Sequence, residues 1–141
     1  MNDKKQKVMI VTGVLAGYVT WWVIGIAGFA ALRRFWPGYA ALEPNFAFTL
    51  PMLLARLALG IVCSVVAGAL AAIIAKRLWP PTLAIGFVIL LQFIPAHIQL
   101  WHIAPLWYHV FFLGTLVPWV VLGGMLGGVP GGVLTKREKN Q

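Results

Sequence analysis

The sequence predicts an all-α membrane protein: a bundle of four transmembrane helices joined by short loops. Three observations carry that prediction. Of the 141 residues, 61% are hydrophobic and only 10% charged, against about 45–50% and about 25% in ordinary soluble domains. Four apolar runs are each long enough, at ~1.5 Å rise per residue, to cross roughly 30 Å of hydrocarbon. Nearly all the charge lies at the ends of those runs. A soluble domain of this size leaves roughly 30% of its unfolded surface in water, which this composition could not supply with polar groups. Disordered chains are poor in aromatics, whereas this one is 13% aromatic.

The first helix is expected over 8–32, between Lys4, Lys5, Lys7 and the Arg33–Arg34 pair. A basic start before an apolar run also marks a signal peptide, but a signal core is about 7–15 residues and this run is longer, so the segment reads as a retained helix. The second is expected over 50–75, opened by Pro51 where a missing donor costs nothing and stopped by Lys76–Arg77. The third, over 82–100, follows Pro80–Pro81 and contains Pro95; the fourth, over 107–128, contains Pro118. Interior prolines remove a backbone hydrogen bond and favour kinks. No connection is long enough for a separate domain, so residues 1–141 read as one membrane domain.

Eight of the eleven cations lie before the first helix, between the second and third, and after the fourth, where Lys136, Arg137 and Lys139 stand. Positive charge marks the cytoplasmic side of short loops. Both termini are therefore expected in the cytoplasm, with a bacterial inner membrane as the setting. The net charge of +8 then belongs to topology and anionic lipid rather than to nucleic acid, since no compact basic face exists. Arg56 falls inside the second run. It lies 20 residues before Lys76, about 30 Å of helix, so it is expected to snorkel to the outer interface, where Glu43 offers an ion-pair partner. Trp36, Tyr39, Trp101, Trp107 and Tyr108 are expected as interfacial rings at the same level.

Helices in lipid associate through small residues that let backbones approach. Gly60, Ser64, Gly68 and Ala72 form such a ridge on the second helix, beside the row Ala67, Ala71 and Ala75. The first helix offers Gly13 and Gly17. The fourth offers the parallel rows Gly123–Gly127–Gly131 and Gly124–Gly128–Gly132.

Intramembrane carboxylates, on which proton-coupled carriers depend, are missing: Asp3, Glu43 and Glu138 all lie outside the apolar runs. Cys63 is the sole cysteine and reads as a small buried hydrophobe. No nucleophile, base and orienting acid share a depth. The polar groups that remain are Arg56, Gln92, His97, Gln99, His102 and His109, and any ligand site is expected to open outward among them, between the second, third and fourth spanning helices. Gln92 stands about 15 Å into its helix, near mid-membrane, where an unpaired amide costs about 1–3 kcal/mol. His97 and His102 are about 140° apart on a continuous helix, a poor spacing for a shared metal. The expectation is therefore a non-enzymatic integral membrane protein without cofactor, an accessory or assembly partner of a larger membrane system. A small transporter or channel with an outward polar cavity is the first alternative; a haem-, metal- or quinone-binding redox subunit is the second. Expected partners are the lipid bilayer and either a larger membrane protein or a second copy of the chain.

Overall fold

The structure, a computed structural model, describes residues 2–128. Over that span every regular element is helical: α1 Asp3–Phe35, a short α2 Pro37–Leu42, a 3-10 turn Glu43–Asn45, α3 Leu50–Ala75, α4 Pro81–Gln99 and α5 Leu106–Leu126. The four long helices are each long and apolar enough to cross a membrane. The chain is a multi-pass membrane protein with an all-α fold.

Two elements depart from the sequence expectation. α1 starts at Asp3, five residues before the apolar run, because helix and hydrocarbon have different limits. Asn2 caps it, its side chain accepting from the Lys4 backbone N–H; Asp3 stands in the first turn and pairs with Lys7 at 2.8 Å. Lysines mark where lipid ends, not where the helix does. The second departure is α2, which begins with Pro37, the residue whose fixed φ suits a helix start. It folds the first connection back over the bundle end instead of leaving it in solvent.

The spanning helices run alternately up and down, and small residues set the closest approaches. The two rows on α3 serve different neighbours. Ala67, Ala71 and Ala75 take α1: a Cβ at Gly13 would stand 2.5 Å from the Ala71 carbonyl oxygen, and one at Gly17 2.8 Å from that of Ala67. The ridge of Gly60, Gly68 and Ala72 turns toward α5, while its fourth member Ser64 accepts a hydrogen bond from Trp21 of α1. Gly68 rests on the Val120 carbonyl, Gly123 on the Val65 carbonyl, Gly60 against the Phe112 ring and Gly127 against the Ala69 carbonyl. α4 closes on α5 where Gly86 meets Val117 and Gly124 meets Thr82 and Leu78. At that end of the bundle the Gln6 amide, in the orientation that satisfies both groups, accepts from the Arg77 guanidinium. Gly131, Gly132 and the cations Lys136, Arg137 and Lys139 lie outside the described residues.

This packing is dense in one half of the bundle, where backbones touch. In the other half α1, α3, α4 and α5 carry Trp21, Phe29, Arg56, Phe93, His97, Tyr108 and Phe112, and bulky groups keep the backbones apart. The candidate site lies there.

Candidate functional site

Arg56 stands six residues into α3, about 9 Å along the helix, and it is half-buried. Its guanidinium is enclosed by aromatic side chains. The carbon at its centre lies 4.7 Å from the Phe29 ring, 5.1 Å from Phe46 and 4.8 Å from Phe48. Nε donates to the Tyr108 hydroxyl at 3.3 Å, and Nη1 to the Tyr39 hydroxyl at 2.5 Å. Ring faces attract a cation, by up to about 2 kcal/mol each when desolvated, so the cage holds the charge in place without neutralising it.

The loop before α3 builds half of this cage. Phe46 adopts φ 52°, the left-handed region that costs a side-chain-bearing residue roughly 1–2 kcal/mol. That turn sets Phe46 and Phe48 edge to face at 4.8 Å, with Phe48 stacked on Tyr39 at 4.8 Å. Tyr39 itself is fully buried. Burial holds its phenol above the ordinary range, with Arg56 pulling the other way, so it stays protonated.

No carboxylate stands within ion-pair distance of Arg56 among the described residues. The expected partner, Glu43, is taken by Arg33 instead: Nε and Nη2 of Arg33 grip both carboxylate oxygens, at 2.6 and 2.9 Å. That fork holds the Glu43 carboxyl below its usual range. Each Tyr oxygen bonded to Arg56 still has its own O–H to give, and neither hydroxyl hydrogen meets an acceptor among the described residues. Arg56 thus spends Nε on the Tyr108 oxygen and Nη1 on the Tyr39 oxygen, which leaves its Nη2 and the two hydroxyl hydrogens without an acceptor among the described residues.

Beside the guanidinium lies a cavity of about 120 Å³, walled by Trp21, Gly25, Phe29, Leu59, Phe93 and Phe112 and reaching Cys63 at its floor. Trp21 has no spare polarity to offer it, because its N–H donates to Ser64 at 3.2 Å. His97 forms another part of the wall. Its Nδ1 faces Nδ1 of His109 at 2.7 Å, with both rings buried. At that distance one nitrogen carries the hydrogen and the other accepts it, so the neutral pair holds complementary tautomers. Tyr108 and Phe112 stack on His97 at 5.9 and 4.9 Å, and Trp101 stacks on His109 at 5.1 Å. Nε2 of His109 is buried without a partner among the described residues.

The predicted polar set therefore divides. Arg56 and His97 line the cavity, and His109 reaches it through His97. Gln92, Gln99 and His102 do not. Gln92 lies on the exposed side of α4, and its amide oxygen accepts from the Tyr18 hydroxyl at 2.7 Å, a partner on α1 instead of a ligand in the cavity. Gln99 is exposed at the last turn of α4, and His102 is exposed in the turn after it. The site also includes α1, not only the three later spanning helices, because Trp21, Gly25 and Phe29 form a wall. Arg56 reaches toward the first connection as expected, but its head group is received there by Phe46, Phe48 and the Tyr39 hydroxyl instead of by Glu43. Tyr39 and Tyr108, expected as interfacial rings, are buried partners of that cation. Among the described residues no three metal-ligating side chains gather.

No family model, curated protein or solved structure matches this chain. What the fold and the site define is a class: a multi-pass helical membrane protein with a donor-lined, aromatic-walled cavity in one half of its spanning region.

Proposed function

We propose that this chain is a non-enzymatic integral membrane protein that holds an anionic ligand at Arg56, acting as an accessory or assembly partner of a larger membrane system. One observation carries the reading. The Nη2 of Arg56 and the hydroxyl hydrogens of Tyr39 and Tyr108 have no acceptor among the described residues, and no carboxylate there stands within ion-pair distance of Arg56. A guanidinium half withdrawn from water without a counter-charge is costly, and an oxyanion in the cavity would offset that cost while accepting from Arg56 and Tyr108, the two of these groups that line it. Binding is favoured over conduction because the cavity stops at the level of Cys63. Beyond it Gly68, Val120, Gly123 and Val65 close the bundle backbone to backbone. A redox role is disfavoured because His97 and His109 spend their facing nitrogens on each other.

The rows of small residues are read as internal packing, and the cation count supports a reading with both termini in the cytoplasm, a bacterial inner membrane being the proposed setting. The cavity then lies in the outer half. Native mass spectrometry of the full chain, purified in a mild neutral detergent, tests the function. The expected result is a co-purifying anionic species that is lost in the Arg56→Gln variant. Retention of neutral lipid only, equal in both proteins, would contradict it.

A further inference from the structure

We propose that the ligand of this cavity is a single-chain carboxylic amphiphile, admitted sideways from the lipid between α1 and α4. The inference rests on the anion-site reading above and narrows it in three respects: charge, size and route.

Charge sets the head group. One cation, Arg56 on α3, lines the cavity, and Tyr108 from α5, His97 from α4 and Trp21 from α1 line it as neutral groups; Tyr39 stands behind Arg56, and the nearby Glu43 carboxylate is paired with Arg33. A carboxylate carries one negative charge, and its planar pair of oxygens matches the flat N–H fork of a guanidinium. A phosphate monoester carries up to two charges and would leave one unneutralised.

Size excludes the larger monoanions. The cavity is about 120 Å³, somewhat below the roughly 150 Å³ of an apolar cavity that admits benzene. A carboxylate with its first few methylenes fits that space. A phosphodiester with its glycerol and second ester arm does not. The rest of the ligand must therefore lie outside the cavity, and lipid is the phase next to it.

Route follows from exposure. Of the side chains that line the cavity, Ala96 on α4 is the one that is exposed on the bundle surface. The proposed route therefore leaves the cavity beside Ala96, a small exposed side chain in α4's wall. Gly25 lies on α1, in the neighbouring wall, and a Cβ there would meet nothing nearer than 3.9 Å. An alkyl chain leaving the head group passes between Phe29 and Phe93 toward that mouth. No opening toward the aqueous side is needed, and the ligand keeps its tail in hydrocarbon throughout.

The test uses the full chain in nanodiscs of phosphatidylcholine, with probes of one chain length and different heads: dodecanoate, dodecanol and dodecyl phosphate, plus phosphatidylglycerol in the disc. Native mass spectrometry reads the bound mass. Alkylation of Cys63 by N-ethylmaleimide reads the location, since this thiol lines the cavity and is the chain's one cysteine. The expected result is one dodecanoate per chain and no retained dodecanol. With dodecanoate at about ten times its Kd, mass action slows labelling about tenfold. Ala96→Trp, a substitution at an exposed position, should abolish dodecanoate retention by filling the mouth while leaving Arg56 intact. Preference for dodecyl phosphate or phosphatidylglycerol, lost in Arg56→Gln, would overturn the carboxylate assignment and leave the anion site standing. Equal retention of dodecanol and dodecanoate by the wild type would overturn both. Unaltered dodecanoate retention in Ala96→Trp would overturn the lateral route.

Discussion

Replacing Gly13 with alanine separates steric fit from helix preference. Intrinsic propensity favours Ala over Gly by about 1 kcal/mol in a helix interior, so on that ground the substitution stabilises. The structure reverses the sign. A Cβ at Gly13 would stand 2.5 Å from the Ala71 carbonyl oxygen and 3.2 Å from the Ala75 methyl. Ordinary contact begins near 3.4 Å, so α1 and α3 must part by about 0.9 Å. A gap of 0.5–1 Å forfeits a quarter to a half of each dispersion contact along the seam, and overpacking of this kind costs about 1–3 kcal/mol. Gly114 supplies the control, because a Cβ there would meet nothing within 4 Å; Gly114→Ala should be neutral or stabilising. Thermal unfolding in one detergent, followed by intrinsic fluorescence, should place Gly13→Ala below Gly114→Ala by about 1–3 kcal/mol, since the propensity gain is common to both. Coincident melting curves would refute the close approach of α1 to α3.

Three further outcomes follow. Gly68→Leu should destabilise the bundle more than Leu70→Ala, because Gly68 rests on the Val120 backbone; equal melting temperatures would remove the ridge. Replacing His109 with phenylalanine should cost about 1–3 kcal/mol by stranding Nδ1 of buried His97, and the His97→Phe, His109→Phe double variant should lose less than the sum of the singles; additivity would deny their coupling. The Arg33–Glu43 pair contributes stability above the unfolded carboxylate value of about 4.3, and that contribution is lost as pH falls through the lowered folded value. Because Arg33 is 51% exposed, the contribution stays below about 1 kcal/mol; Glu43→Gln should flatten this acid limb, and an unchanged profile would count against the pair.

Apolar run length made the spanning helices legible, since lipid leaves the backbone no alternative to helix. Small-residue spacing likewise marked the α3 faces, because a period of four on a helix is a stripe. The site was half legible. Arg56, His97 and His109 were drawn from the rule that polar groups at membrane depth are functional, but the rule does not say which way a side chain turns. Gln92 obeyed it and found Tyr18, a hydroxyl 74 residues away that no spacing connects to it. For Arg56 helical rise gave the depth, while its partners Phe29, Phe46 and Phe48, and the loss of Glu43 to Arg33, lay beyond any spacing rule. Those rings come from a helix end and a loop, and only the left-handed turn at Phe46 brings the loop pair into place. The aromatic pair Phe46 and Phe48 beside an intramembrane arginine was the available signal. The His97–His109 pairing had none, because it depends on how α4 and α5 meet across the turn at 100–105.

The central claim is that Arg56 holds its ligand as an anion. Carbon-13 NMR of carboxyl-labelled dodecanoate, titrated from neutral to acid pH with the full chain in phosphatidylcholine nanodiscs, tests it directly. A guanidinium beside a carboxyl favours the charged form and lowers its pKa by about 1–3 units. The account predicts a protein-bound resonance that stays at the ionised position to lower pH than dodecanoate in protein-free discs, and that is absent with Arg56→Gln. A bound resonance that titrates as it does in the bare bilayer, in wild type and variant alike, would contradict it.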